Sequence, residues 1–171
     1  MNRIADAIDS LTGLIGRTVA WLALAIVLLQ FVLVLARYLF GVGSIWLNES
    51  VMYGHATLFL MAAAWTLQAG GHVRVDVFYA EAGPRTRAVI DLVGSLLLLL
   101  PFALLLLYLA LPFAARSWAV LERSQETSGL PFVYLLKTLV PVFAVLMALQ
   151  GIAQAIRSVT VLRAERHNVA S

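Results

Sequence analysis

Apolar positions in this chain do not alternate with polar ones. They run together in four long blocks separated by short polar loops. Thr18–Ala36 is 19 residues without a charge, and Val51–Ala69 is a second block of 19 whose one ionisable group is His55. Val89–Ala114 is longer, carries Asp91 near its start and holds the run LLLLLPFALLLL. Leu130–Ile156 is the fourth, interrupted by Lys137 and Pro141. A hydrocarbon core of about 30 Å takes about 20 helical residues to cross. The pattern therefore predicts an all-α membrane protein with spans near 18–36, 51–69, 89–114 and 130–156. These fill most of the 171 residues, so residues 1–171 read as a single membrane domain.

Ahead of the first block, Ile4, Ile8, Leu11 and Ile15 recur at helical spacing, with Arg3, Asp6, Asp9 and Ser10 off the stripe. A short amphipathic helix over 3–16, lying in the membrane interface, is expected. It suits either an anchor packed on the bundle or a helix that contacts a partner. The first apolar block exceeds the h-region of a signal peptide and is followed by Arg37 and Tyr38 instead of a small-residue cleavage site. It is expected to be retained. Pro101, Pro112 and Pro141 are expected to kink their helices.

Composition agrees with this picture and adds an orientation. Residues of the set AVILMFWYC make up 62% of the chain and charged residues 12%, with mean hydropathy +0.93. Soluble domains average about 45–50% and about 25%. No cysteine is present, which excludes disulfides, thiolate metal sites and iron–sulfur clusters. The net charge of +3 comes from basic residues flanking the apolar blocks, a distribution suited to membrane topology and anionic lipid and not to nucleic acid. Arg3, Arg17, Arg74, Arg85, Arg87, Arg157, Arg163 and Arg166 fall on one side; Arg37, Arg116 and Arg123 fall on the other. Eight against three predicts both termini in the cytoplasm, with 157–171 a cytoplasmic tail.

Polar residues within the spans are the candidates for chemistry. Lys137, about 10 Å into its helix at 1.5 Å per residue, can snorkel outward, pair with Glu49 on the same side, or serve a substrate or proton relay. Asp91 suits a structural role in the first turn of the third helix, with Arg87 four residues earlier. His55 reads as a hydrogen-bonded interior residue, since one intramembrane histidine cannot supply the two axial ligands of a b-type haem. Gln30, Gln150 and Gln154 are amides able to bond between helices. No phosphate loop, HExxH, GxSxG or paired-carboxylate constellation appears. No catalytic, cofactor or metal site is therefore expected.

The loops carry a more specific signal. Arg37-Tyr38-Leu39-Phe40-Gly41 ends the first span and Trp46-Leu47-Asn48-Glu49-Ser50 opens the second. The middle loop reads Gly71-His72-Val73-Arg74-Val75-Asp76-Val77-Phe78-Tyr79. Ser117-Trp118, Glu122 to Pro131, Lys137, Pro141 and Leu149-Gln150-Gly151-Ile152-Ala153 follow in order. From Arg37 to Arg157 this set resembles the small, DctQ-like membrane subunit of tripartite ATP-independent periplasmic (TRAP) transporters, most of all the branch labelled for mannitol or chloroaromatic compounds. Asn48 departs from it, where many relatives carry a second acidic residue beside the position of Glu49.

The resemblance implies a bacterial inner-membrane protein working with two partners. A periplasmic solute-binding protein captures a polar organic solute, such as a carboxylate, and docks transiently. A large multispan permease moves the solute inward on a sodium gradient, so this chain needs no cofactor of its own. The small subunit supports the large one in the lipid bilayer. Candidate partner-contact or structural residues are Arg37, Trp46, Glu49, His72, Arg74, Asp76, Glu126, Lys137 and Gln150. Trp46 suits an outer aromatic belt. Glu49, Glu122 and Glu126 put negative charge where a binding protein arrives. His72, Arg74 and Asp76 alternate with valines as in an extended cytoplasmic segment. Ser128 to Pro131 suits a turn that puts Pro131 near the first position of the last helix. Two rival functions are a self-sufficient oligomeric carrier using Glu49 or Lys137, and a membrane anchor for a redox enzyme.

Overall fold

A computed structural model describes the backbone of residues 2–71, 79 and 82–170, with side chains from 3 to 165 within that set. Helix α1 spans Asn2–Phe40 and α2 spans Ile45–Gln68. Helix α3 (Pro84–Val93), a π-helical segment (Gly94–Leu99) and α4 (Leu100–Ala119) run on as one rod. Helix α5 spans Val133–Ala170. No strand occurs among the described residues.

The ends of these helices follow from local chemistry. Gly41, at φ +66°, closes α1 by returning its N–H to the Arg37 carbonyl at 3.1 Å, a left-handed cap that glycine adopts without a Cβ clash. Ser44 then caps α2, its hydroxyl accepting from the Leu47 N–H at 3.4 Å. Gly70, at φ +69°, ends α2 with paired bonds from Gly70 N to Leu67 O and from Gly71 N to Thr66 O. Pro84 opens α3 at a position where the missing N–H costs nothing. The π segment lies immediately before the turn containing Pro101. That ring has no N–H and crowds the carbonyl four residues back, and a widened turn, with Leu100 N reaching Ser95 O, relieves both. Pro112 and Pro141 sit inside helices that continue past them.

Several boundaries differ from expectation. The segment 3–16 is continuous with the first span, forming one helix of 39 residues, about 58 Å long at 1.5 Å per residue. Nothing between Gly13 and Thr18 disfavours helix strongly enough to break it. Its outward side carries Ile4, Leu11 and Leu14, while Ala5, Thr12 and Gly16 face inward. The last helix begins at Val133, so Pro131 precedes it by two residues instead of opening it. Asp91 is the eighth residue of α3, beyond the first turn in which it was expected.

Among the described residues, three rods are long and apolar enough to cross a membrane: Arg3–Phe40, Pro84–Ala119 and Val133–Glu165. Helix α2, at 24 residues, has the length (about 36 Å) but is diluted by Asn48, Glu49, Ser50, His55 and Gln68. Its packing is antiparallel to α1 throughout. Thr12 meets Gln68, Gly16 meets Trp65, and Ile26 meets Gly54. Ile26 and Leu33 cluster with Val51. Helix α5 sits at the centre, against α1 and α2 on one side and against α3 and α4 on the other.

Small and polar residues take a large share of the buried positions, and most large apolar side chains lie outside. Helix α4 buries Ala103, Ala110, Ala114 and Ser117, one stripe of small residues, toward α5. Helix α5 buries Ala144, Gly151, Ala153 and Ala155. A Cβ on Gly16 would stand 2.5 Å from the Trp65 ring, and one on Gly151 would stand 3.0 Å from Leu99. Leucine gains little by leaving lipid for a protein interior, so helices in a bilayer associate through close backbone approach and polar contacts.

Candidate functional site

Polar side chains gather at the two ends of the helices. At one end, Glu49 in the second turn of α2 accepts two bonds from the α4–α5 loop. The Ser124 hydroxyl donates to Oε1, and the Leu130 N–H donates to Oε2 at 2.5 Å. Gly129 is required there, because a Cβ would run into the Ser124 side chain and stand 2.8 Å from Glu49 Oε1. Lys137, in the second turn of α5, reaches both oxygens of Glu122 at 2.6 and 2.8 Å. Its Nζ lies 4.4 Å from the Phe113 ring centroid. The partner of Lys137 is thus Glu122 and not Glu49, whose oxygens the loop already occupies. Trp118 Nε1 donates to Thr138 Oγ1 at 2.8 Å, and its ring meets Tyr134 edge-on.

The chain turns toward Lys137 at a strained residue. Leu121 takes φ 45°, in the left-handed region, at a cost of about 1–2 kcal/mol for a side chain with a Cβ. The turn lets Glu122 N bond to Ser117 O at 3.0 Å and brings the Glu122 carboxylate to Lys137. The bond from Lys137 lowers the Glu122 pKa from its ordinary 4.5. A carboxylate depressed in the folded state contributes stability above its unfolded pKa and loses it as pH falls through the folded one. Melting in mild detergent should therefore show an acid limb starting near 4.5. Glu122→Gln should melt below wild type at neutral pH, with the gap closing under acid. A gap that is constant with pH would contradict this assignment.

At the other end, the amphipathic start of α1 is tied into the bundle. Gln150 of α5 is completely buried. Its amide N–H donates to Asp9 Oδ1 at 3.0 Å, and its oxygen accepts from the Thr12 hydroxyl at 3.2 Å. Thr12 also contacts Gln68 Oε1 at 3.2 Å, and Arg157 pairs with the second Asp9 oxygen. Three helices thus meet at one network. Nearby, the Tyr79 hydroxyl donates to Asp91 at 2.9 Å, and Arg87 donates to the Tyr79 carbonyl at 3.1 Å while lying over its ring.

Of the other candidates, Trp46 is exposed in the first turn of α2 and Arg37 is exposed at the end of α1. Glu126 is an exposed loop residue whose N–H donates to Ser124 Oγ at 3.2 Å. His72, Arg74 and Asp76 lie outside the described residues. His55 is exposed on the surface of α2 and stacks on Phe59, with ring centroids 6.5 Å apart, instead of bonding in the interior. The sequence gives no pairing role to Asp9, Thr12, Gln68, Ser124 and Arg157, which are polar residues on or near apolar helices. Their one signal is that such groups need partners in a bilayer.

Among the described residues no three histidine or acidic side chains gather as metal ligands. The geometry is that of an interlocked helix assembly with polar clamps at both ends. A family profile described as "Tripartite ATP-independent periplasmic transporters, DctQ component" matches residues 10–161. No curated protein and no solved structure matches the chain.

Proposed function

The chain belongs to the DctQ family, and is the small membrane subunit of a TRAP transporter; from that premise we propose that it is the rigid intramembrane support of a large sodium-coupled permease. In this proposal α2 is a fourth crossing, with both termini in the cytoplasm of a bacterial inner membrane. The antiparallel register of α2 on α1, from Thr12–Gln68 to Ile26–Gly54, supports that reading. A helix paired residue for residue with a spanning helix returns across the same thickness. The eight-to-three arginine asymmetry supports the orientation.

The observation that carries the support role is the pair of clamps joining sequence-distant helices at opposite ends of the assembly. Glu49 and Lys137 are both engaged in holding the α4–α5 loop, so neither is poised as a coupling residue. Solute and sodium are handled by the large subunit, and the solute is an organic carboxylate or similar polar molecule delivered by the periplasmic protein. The loop residues from Trp46 to Ser50 and from Glu122 to Pro131 support assignment to the mannitol/chloroaromatic branch.

Affinity purification of the tagged chain from native membranes in mild detergent tests this. Recovery of one large multispan protein at equal stoichiometry is expected, together with no uptake by proteoliposomes containing this chain alone. Uptake by the isolated chain would overturn the support role.

A further inference from the structure

The exposed surface of this protein within the apolar zone is of two kinds. The π-helical segment and helix α4 present Leu98, Phe102, Leu105, Leu109 and Phe113, all large, apolar and exposed. That surface needs only lipid. The α1–α2 hairpin presents something different. On α2, Asn48, Met52, His55 and Phe59 follow one another at i, i+4, i+7 and i+11, all exposed. They form a stripe beside the one that meets α1. On α1, Gln30, Val34 and Arg37 form a second exposed stripe at i, i+4 and i+7. The two stripes border a cleft of about 160 Å³ lined by Gln30, Val34, Arg37 and Asn48.

The polar groups of this face are unusual for their depth. Ile26 packs on Gly54, so His55 is level with the middle of the first apolar block. Gln30 is seven residues from Arg37, about 10 Å further in. Among the described residues, the side chains of Gln30, Arg37 and His55 make no hydrogen bond. An amide and an imidazole facing hydrocarbon with no partner are costly, and intramembrane polar groups face protein or water. Lipid tails cannot satisfy them. A polar helix from another chain can.

We propose that the Gln30–Arg37–Asn48–His55 face is where the large permease subunit docks within the membrane. This rests on the proposed function, since it takes that subunit as partner and α2 as a span. The unpaired charge of Arg37 names the contact. The cleft offers an uncompensated guanidinium beside two amides, so the docking helix brings an acidic side chain to Arg37 and hydrogen-bonding groups to Gln30 and His55. The α4 face remains in lipid.

The test uses the transporter co-expressed with all its subunits. A photo-cross-linking residue is introduced in place of Gln30 or His55, and, for contrast, in place of Leu98 or Leu105. Adducts with the large subunit are expected from the first pair and not from the second. Arg37→Glu should lower recovery of the large subunit with the tagged chain at least ten-fold, while the melting temperature of the isolated chain stays unchanged. Adducts from His55 to lipid or to a second copy of this chain, with adducts from Leu105 to the large subunit, would overturn the proposal while leaving the support role intact. Recovery of no large subunit with the wild-type chain would overturn both.

Discussion

Asp9→Ala is expected to loosen the first sixteen residues of α1 from the bundle and to lower the melting temperature in detergent by several degrees. Asp9 holds Gln150 through Oδ1 and Arg157 through Oδ2. Gln150 is completely buried, so its released amide N–H has neither water nor another acceptor. An unsatisfied buried donor costs about 1–3 kcal/mol. The Arg157 contact adds less, because that side chain is 41% exposed and exposed pairs contribute about 0–1 kcal/mol. A total of about 1–4 kcal/mol follows. Asp9→Asn retains an acceptor for Gln150 and should recover part of the loss. Gln150→Leu combined with Asp9→Ala should cost less than the two singly, by about 0.5–3 kcal/mol of coupling. Additive single effects would mean the network is not one unit.

Glu49→Ala should release the α4–α5 loop. Both carboxylate oxygens are used, one by the Ser124 hydroxyl and one by the Leu130 N–H. Bonds to a charged acceptor contribute about 1.5–3 kcal/mol each, and Leu130 is itself buried. Two such bonds give an expected cost of about 3–6 kcal/mol, with a local signature. The Leu130 amide should exchange its hydrogen much faster, while amides in the middle of α5 keep their protection. Glu49→Gln keeps one acceptor and should fall between the two. Unchanged exchange at Leu130 in Glu49→Ala would remove Glu49 from this role. The Lys137–Glu122 pair should persist in Glu49→Ala, since it shares no atom with the Glu49 bonds.

Much of the helix content was written in one-dimensional terms. Runs of uncharged residues about 19 long have few alternatives in a bilayer, because every backbone N–H and C=O must be satisfied within the segment. The caps at Gly41, Ser44 and Gly70 were equally local. Helix α2 was the least secure, and its dilution by polar residues is the reason. Those same residues, Asn48, Glu49 and His55, turn out to serve the loop clamp and the exposed stripe.

The apolar stripe of residues 4–15 divides between two environments. Ile4 and Leu11 point outward, Ile8 and Ile15 are half-buried with Ile15 against the core, and Ala5, Thr12 and Gly16 point inward. The apolar solvent lies outside, and close packing favours small residues.

Pairing was the part that spacing could not supply. Lys137 has Glu49 and Glu122 within reach by depth alone, and the strained turn at Leu121 decides for Glu122. Asp9 and Arg157 stand 148 positions apart, with nothing in either neighbourhood to name the other. Which faces meet lipid was likewise beyond the reach of composition, because leucine lines helix interfaces and lipid surfaces alike. Hydrophobic run length is enough to make this chain a helical membrane protein, since that depends on the bilayer alone, and the arginine asymmetry is what its proposed orientation rests on. Which polar groups are consumed inside the assembly, and which are left on the α1–α2 face without partners, depends on how the helices rotate against one another, and only packing in three dimensions settles that.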